Sequence, residues 1–182
     1  MATKIANKAG TVTRYRMSAT QLVRRAKALG AASARVVSAS TIATAPWVRL
    51  KCQYGCDGYG SSLCCPPHTP TPGETRQVID SYERAILFEA GRHEPAKIVV
   101  QLEREAFLAG YYKAFGFGAG PCDLCRAACT FETGCRHPER ARPSMEACGI
   151  DVFATVRANG FEIEVVRDPD DDAHYFGLLL LD

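Results

Sequence analysis

The stretch from Gly120 to Pro138 reads GPCDLCRAACTFETGCRHP and places four cysteines, Cys122, Cys125, Cys129 and Cys135, within fourteen residues. Their spacing is Cys-x2-Cys-x3-Cys-x5-Cys. Neither a disulfide framework nor a catalytic thiol needs that density on one short loop. A metal site does, because several thiolates must converge on one centre. Pro121 and Pro138 bound the loop, and Gly134 relaxes the backbone just before the last cysteine. Any fold this chain adopts has to present that loop intact.

A second group lies upstream, in KCQYGCDGYGSSLCCPPHTPTP, with Cys52, Cys56, Cys64 and Cys65. Gly55, Gly58 and Gly60 let the backbone wrap closely and turn its amides inward. Pro66 and Pro67 disfavour helix and fix the exit path. The segment reads as an ordered loop. Cys52, Cys56 and Cys65 make three candidate ligands, and a cysteine before proline serves a different cluster from its neighbours in some ferredoxins. Cys64 and Cys65 are adjacent, so their side chains tend to point apart and are not expected to share a cluster. The fourth ligand is Cys64, Cys148 or a residue from elsewhere. Cys148 reads equally well as a small apolar core residue.

Other residues near these groups have a functional and a packing reading. His68 and His137 read as loop-packing or hydrogen-bonding residues more than as ligands. Tyr59 is a candidate proton donor or a loop-packing residue. Arg126, Arg136, Arg140 and Arg142 surround the main motif, where cations balance thiolates, favour a reduced cluster or dock an acidic partner. Tyr111, Tyr112, Phe115 and Phe117 form either an apolar wall beside the motif or ordinary core.

Thiolates suit both zinc and iron–sulfur clusters. The reading adopted is one or two [4Fe–4S] clusters held by Cys52, Cys56, Cys65, Cys122, Cys125, Cys129, Cys135 and Cys148, with zinc as the alternative. Nine cysteines in 182 residues, an odd number without a secretory signal, point to reduced thiols in a cytoplasm. No apolar run approaches the length of a membrane span. The net charge of +2 hides an asymmetry: residues 1–56 carry ten Lys and Arg and no Asp or Glu, while Asp168, Asp170, Asp171 and Asp172 crowd one late loop. A basic half attracts nucleic acid or an acidic protein, or is simply a solvated face. No Ser/His/Asp set and no P-loop is present. GFGAG at 116–120 follows an expected helix and is no dinucleotide fingerprint.

The expected elements follow from caps and periodicity. A helix starts at the Ser18–Gln21 capping box and stops at Gly30. A short strand covers Arg35–Ser40, and Trp47–Lys51 is extended. Thr71 and Glu74 form a second capping box for a helix to about Tyr82, with Pro72 at its first position. Ala85–Glu89 is a buried strand. A long helix runs from Pro95 to Phe115, and another covers Ser144–Ala158. Phe161–Val165 alternates as a strand, and Tyr175–Leu181 is the last strand. The expected class is α+β: one domain over residues 1–182, a compact mixed sheet with packed helices and two cysteine-rich loops. Residues 1–16 form a mobile basic arm or edge strand.

The strings RLKCQYGCDGYG, CCPPHTPTPGETR, AGYYKAFGFGAGPCDLC, GCRHPERARPSMEACGIDV and the ending YFGLLLLD resemble the prokaryotic "predicted metal-binding protein" family, a domain of unknown function. The resemblance covers roughly residues 30–182. It implies cysteine-ligated metal, iron–sulfur by preference, in anaerobic or facultative bacteria and archaea. Matched by position, it points to Cys52, Cys56 and Cys65, and to Cys122, Cys125, Cys129 and Cys135. Cys64 is an extra beside the CPP cysteine, and Cys129 stands one residue later than the family pattern. The resemblance transfers no reaction. The function expected is electron transfer with a redox partner protein, a second copy of the chain being a further candidate partner. Two alternatives stand beside it. One is a zinc-stabilised module contacting nucleic acid or an acidic partner through the basic half. The other is a reductive enzyme using an open cluster.

Overall fold

A computed structural model describes residues 17–92, 94–125, 128–168, 171 and 173–182. The arm expected at residues 1–16, together with Arg126, Asp170 and Asp172, lies outside the described residues. Five α-helices and four strands follow one another as α1 (Ala19–Ala28), β1 (Ser33–Ser38), α2 (Pro46–Gly55), α3 (Pro72–Ile79), β2 (Arg84–Ala90), α4 (Glu94–Leu108), β3 (Phe115–Phe117), α5 (Val152–Ala158) and β4 (Tyr175–Leu180). Short 3-10 turns cover Ala39–Thr41 and Glu146–Cys148. The strands form one antiparallel sheet in the order β1-β2-β4-β3. The class is mixed α+β, as the element order demands.

The sheet is covered on both faces, which explains why its central strands read as unbroken apolar runs. Ile86, Phe88, Ala90, Leu179 and Leu181 face α1 and α4. Ala85, Leu87, Phe176, Leu178 and Leu180 face the other layer, built from α3, α5 and the 3-10 segments. Both capping boxes form: Ser18 with Gln21 opens α1, and Thr71 with Glu74 opens α3.

Four expectations need correction. Residues 47–51 are helical and belong to α2, because Pro46 occupies the first helical position, where a missing amide costs nothing. Cys52 therefore stands on a helix, and the loop proper begins at Cys56. The long helix ends at Leu108. Gly110 turns at φ +103°, and Phe115–Phe117 becomes a strand beside Leu178–Leu180. The helix over 144–158 is broken: Gly149 adopts φ +76° after the 3-10 turn, and Asp151 caps a new helix by accepting from the Ala154 amide at 2.9 Å. Phe161–Val165 is not a strand. Phe161 and Ile163 are buried as alternation requires, but β2 and β3 already occupy both sides of β4. No helix among the described residues is long and apolar enough to cross a membrane.

Candidate metal centre

Both cysteine loops hang from one end of this scaffold. The first leaves α2 at Cys56 and enters α3 at Thr71. The second leaves β3 and returns at Ser144. Its neck is pinched by Gly118, whose amide donates to Pro143 O at 2.9 Å and whose carbonyl accepts from Met145 at 3.2 Å. The 3-10 turn that follows lies against α2, and the Thr44–Ile150 bridge fixes that approach.

Three clamps hold the loops. The Arg49 guanidinium, on α2, donates to Thr69 Oγ1 at 3.2 Å, Thr69 O at 3.1 Å and Pro70 O at 2.7 Å. Arg142 makes a fork-on-fork pair with Glu103 of α4, at 2.7 and 2.6 Å, and Glu103 also accepts the Gly116 amide at 2.8 Å. The His68 ring meets the Phe131 ring at 4.9 Å, tying one loop to the other. Arg49 is one of three basic residues of the first half with internal partners among the described residues. Arg25 pairs with Glu105, and Arg35 caps the carbonyls of Asn159 and Gly160.

The thiols sort into two sets. Cys52, Cys56 and Cys65 line a cavity of about 550 Å³ together with Tyr59 and Glu146. The Cys52 thiol lies 3.8 Å from the Glu146 carbonyl oxygen, and the Ser62 hydroxyl donates to the Cys65 sulfur at 3.3 Å. Cys64 turns the other way. It does not line that cavity and lies within electrostatic reach of Cys122 and Cys135. Cys122 in turn is within electrostatic reach of Cys135 and Cys125. Cys148 is buried in the core layer under the sheet, yet close enough to Cys52 to feel its charge.

Burial is the leading cause that raises the pKa of Cys52, Cys64, Cys122 and Cys148. Burial, and then the neighbouring Cys122, push Cys64 up to about 12. Burial alone is the leading cause for Cys148, also pushed up to about 12, against the opposing pull of Arg49. Cys52 is raised by burial and then by Cys56. A cation placed among such groups reverses the balance and takes them as thiolates. One backbone amide is already aimed at sulfur, the His137 N–H at Cys135, 3.4 Å away. Amide-to-sulfur hydrogen bonds of this kind stabilise thiolate ligands and tune cluster potentials. The donor set therefore fits a thiolate-bound metal group. Among the described residues, no three His, Cys, Asp or Glu side chains are gathered closely enough for a single ion.

Glu146 escaped the sequence reading. Its Oε2 is buried without a hydrogen-bond partner, while Ser144 and its own amide bind the carboxyl. Burial raises its pKa. Only the three-dimensional approach of the 3-10 turn to α2 reveals it. Tyr111 and Phe117, by contrast, are buried on opposite faces of the sheet, and Tyr112 is exposed. The four aromatics do not form one wall. Arg136 donates to Ala128 O and Arg140 pairs with Glu139 and the His137 ring, so both act within the loop.

Comparison with known proteins places the chain in a family and assigns no ligands. A search of curated proteins and a search of solved structures each found no match. A family model described as "Predicted metal-binding protein (DUF2284)" matches residues 35–181. That span contains both cysteine loops and every strand but the first two residues of β1, and the chain belongs to this family of predicted metal-binding proteins, a domain of unknown function.

Proposed function

We propose that the protein is an iron–sulfur redox protein, passing single electrons between a partner protein and an enzyme. The observation that carries this reading is the convergence of two cysteine loops on one end of the fold, with a backbone amide already aimed at sulfur. A bound cluster supplies one-electron transfer at a potential set by its surroundings. The protein's own residues supply the rest. The cysteines hold the group, the His137 amide stabilises sulfur charge, and the Arg49 and Arg142 clamps keep the loops in place. Zinc fits less well. Tetrahedral zinc at about 2.3 Å from each sulfur brings the sulfurs to within about 4 Å of one another, whereas a cluster spreads its ligands wider. The cytoplasm is the expected compartment, because reduced thiols persist there.

A second reading rests on the cavity. It touches Cys52, Cys56 and Cys65, so a cluster with three cysteine ligands there would face a space for a small substrate. The protein would then be a reductive enzyme.

The test is anaerobic purification followed by a visible spectrum and iron and acid-labile sulfide analysis. The expected protein is brown, with broad absorbance that bleaches on reduction and iron matched by sulfide. A colourless protein with stoichiometric zinc overturns the reading.

A further inference from the structure

The cavity that touches Cys52, Cys56 and Cys65 extends well beyond them, to residues 163–166 and to His174 and Tyr175. Its volume of about 550 Å³ suits a small organic molecule. Aromatic and aliphatic side chains make much of its wall, among them Trp47, Tyr59, Ile150, Phe153, Ile163 and Tyr175. The rim carries apolar surface that the core leaves uncovered. Trp47 is 48% exposed, Val165 60% and Val166 48%, and all three line the cavity. Phe161, Ile163 and Val165 form one apolar alternation, and its first two members are buried. Val165, the third, has the cavity beside it and no core over it. Exposed apolar groups gathered around one concavity mark a binding site, whereas scattered ones need no explanation.

The polar lining is largely committed elsewhere. Asp151 accepts the Ala154 amide at 2.9 Å, and Ser144 Oγ accepts the Ala147 amide at 3.1 Å. The His174 ring pairs with Glu89 at 2.6 Å, and Glu164 lies 3.6 Å from Arg157. One lysine, Lys51, stands against three carboxyl groups, those of Glu146, Asp151 and Glu164. An anion meets more repulsion than attraction there. A polyhydroxylated molecule would give up water without regaining hydrogen bonds. Flat rings, by contrast, can stack on the aromatic wall or meet it edge-on.

We infer that this cavity binds a small, uncharged aromatic molecule whose apolar body covers Trp47, Val165 and Val166. The inference names a substrate class for the reductive-enzyme reading and rests on that reading for its chemistry alone, since binding itself needs no cluster.

The test uses the full chain, purified anaerobically with whatever metal it holds, and benzophenone as the probe. Benzophenone is uncharged, aromatic and inserts into neighbouring C–H bonds under near-ultraviolet light. Equilibrium dialysis should show one benzophenone per chain, with 4-benzoylbenzoate, its anionic counterpart, about tenfold weaker or worse. Photolabelling followed by peptide mass spectrometry should place the label within 47–59, 146–153 and 163–176. Trp47→Glu and Val165→Glu, both at exposed positions, should each weaken binding about tenfold with an unchanged circular dichroism spectrum. Leu108→Glu, at a position 63% exposed but outside the cavity, should bind as the unaltered chain does. No saturable binding, or label spread evenly over the surface, overturns the site. Binding that W47E and V165E leave unchanged overturns it as well. A 4-benzoylbenzoate complex as tight as that of benzophenone overturns the uncharged class. Saturable binding by a colourless zinc protein overturns the reductive-enzyme reading and leaves the site standing. A brown protein that takes no benzophenone overturns the site and leaves electron transfer standing.

Discussion

Arg142 holds the second loop to the scaffold with side chains that are only about one-seventh exposed, 15% for Arg142 and 14% for Glu103. Its guanidinium also donates to Pro138 O and Ala141 O and lies over the Phe115 ring. A planar fork is required, so lysine cannot replace it. Removing one partner of a pair this buried leaves a charge without compensation. Arg142→Ala should therefore cost about 3 kcal/mol, read as a shift in the urea midpoint, and Arg142→Lys should recover little of it. Gly149 is the other decisive position. Its left-handed φ of +76° strains any other residue, and a Cβ there would lie 2.4 Å from Pro72 Cγ. Gly149→Ala should cost about 2 kcal/mol or more by the same measurement. The sequence shows only an apolar stripe across residues 144–158. It cannot show that Pro72 of another helix packs against Gly149 and leaves no room for a side chain there. Cys64 was obscured for a similar reason. Adjacency says that two cysteines diverge, but only the packing of one loop on the other says where each goes.

Elements whose signals are local were legible. The two capping boxes formed as written, and the runs AILFE and YFGLLLL became the central strands. The short helix α2 was missed because glycine and cysteine after Lys51 obscure its periodicity, although Pro46 marked its start. The pairing of α1 with α4 is beyond any local signal, and it rests partly on Arg25 and Glu105. Glu105 accepts from Arg25 at 2.8 Å, and the hydrogen bond and charge of Arg25 hold its pKa below the ordinary value. A depressed carboxyl stabilises the fold above its unfolded pKa, and that contribution disappears as pH falls through the folded one. Both side chains keep solvent contact, so screening limits the effect. Glu105→Gln should cost about 0.5–1 kcal/mol at pH 7. The difference from the unaltered chain should begin to shrink as pH drops below about 4.3. Urea unfolding of the metal-free chain at several pH values checks this, and a cost that grew with acid would contradict the assignment.

At the scale of the whole molecule, the two apolar layers and the cysteine loops are separate structural problems. The sheet closes both cores using residues from α1, α3, α4 and α5, with Phe88 and Phe176 among the largest fully buried side chains. The described residues among 121–143 contribute no strand and no helix, and apart from the Gly118–Pro143 bond at the neck their backbone bonds are local turns such as Arg140 and Ala141 to His137. None of their described side chains is buried. The free energy that orders this loop must then come largely from its clamps and from the metal group its cysteines hold. Small zinc domains that unfold without metal are the opposite limit, because they have no other core. Here stripping the metal with a chelator under reducing conditions should leave the sheet intact and release the loops. Hydrogen exchange followed by mass spectrometry separates the two cases. Peptides from 56–71 and 119–143 should exchange much faster after stripping, while those covering β2 and β4 keep their protection. Equal loss across all peptides would mean that the metal holds the entire fold together, and that the double-layered core is too weak to stand without it.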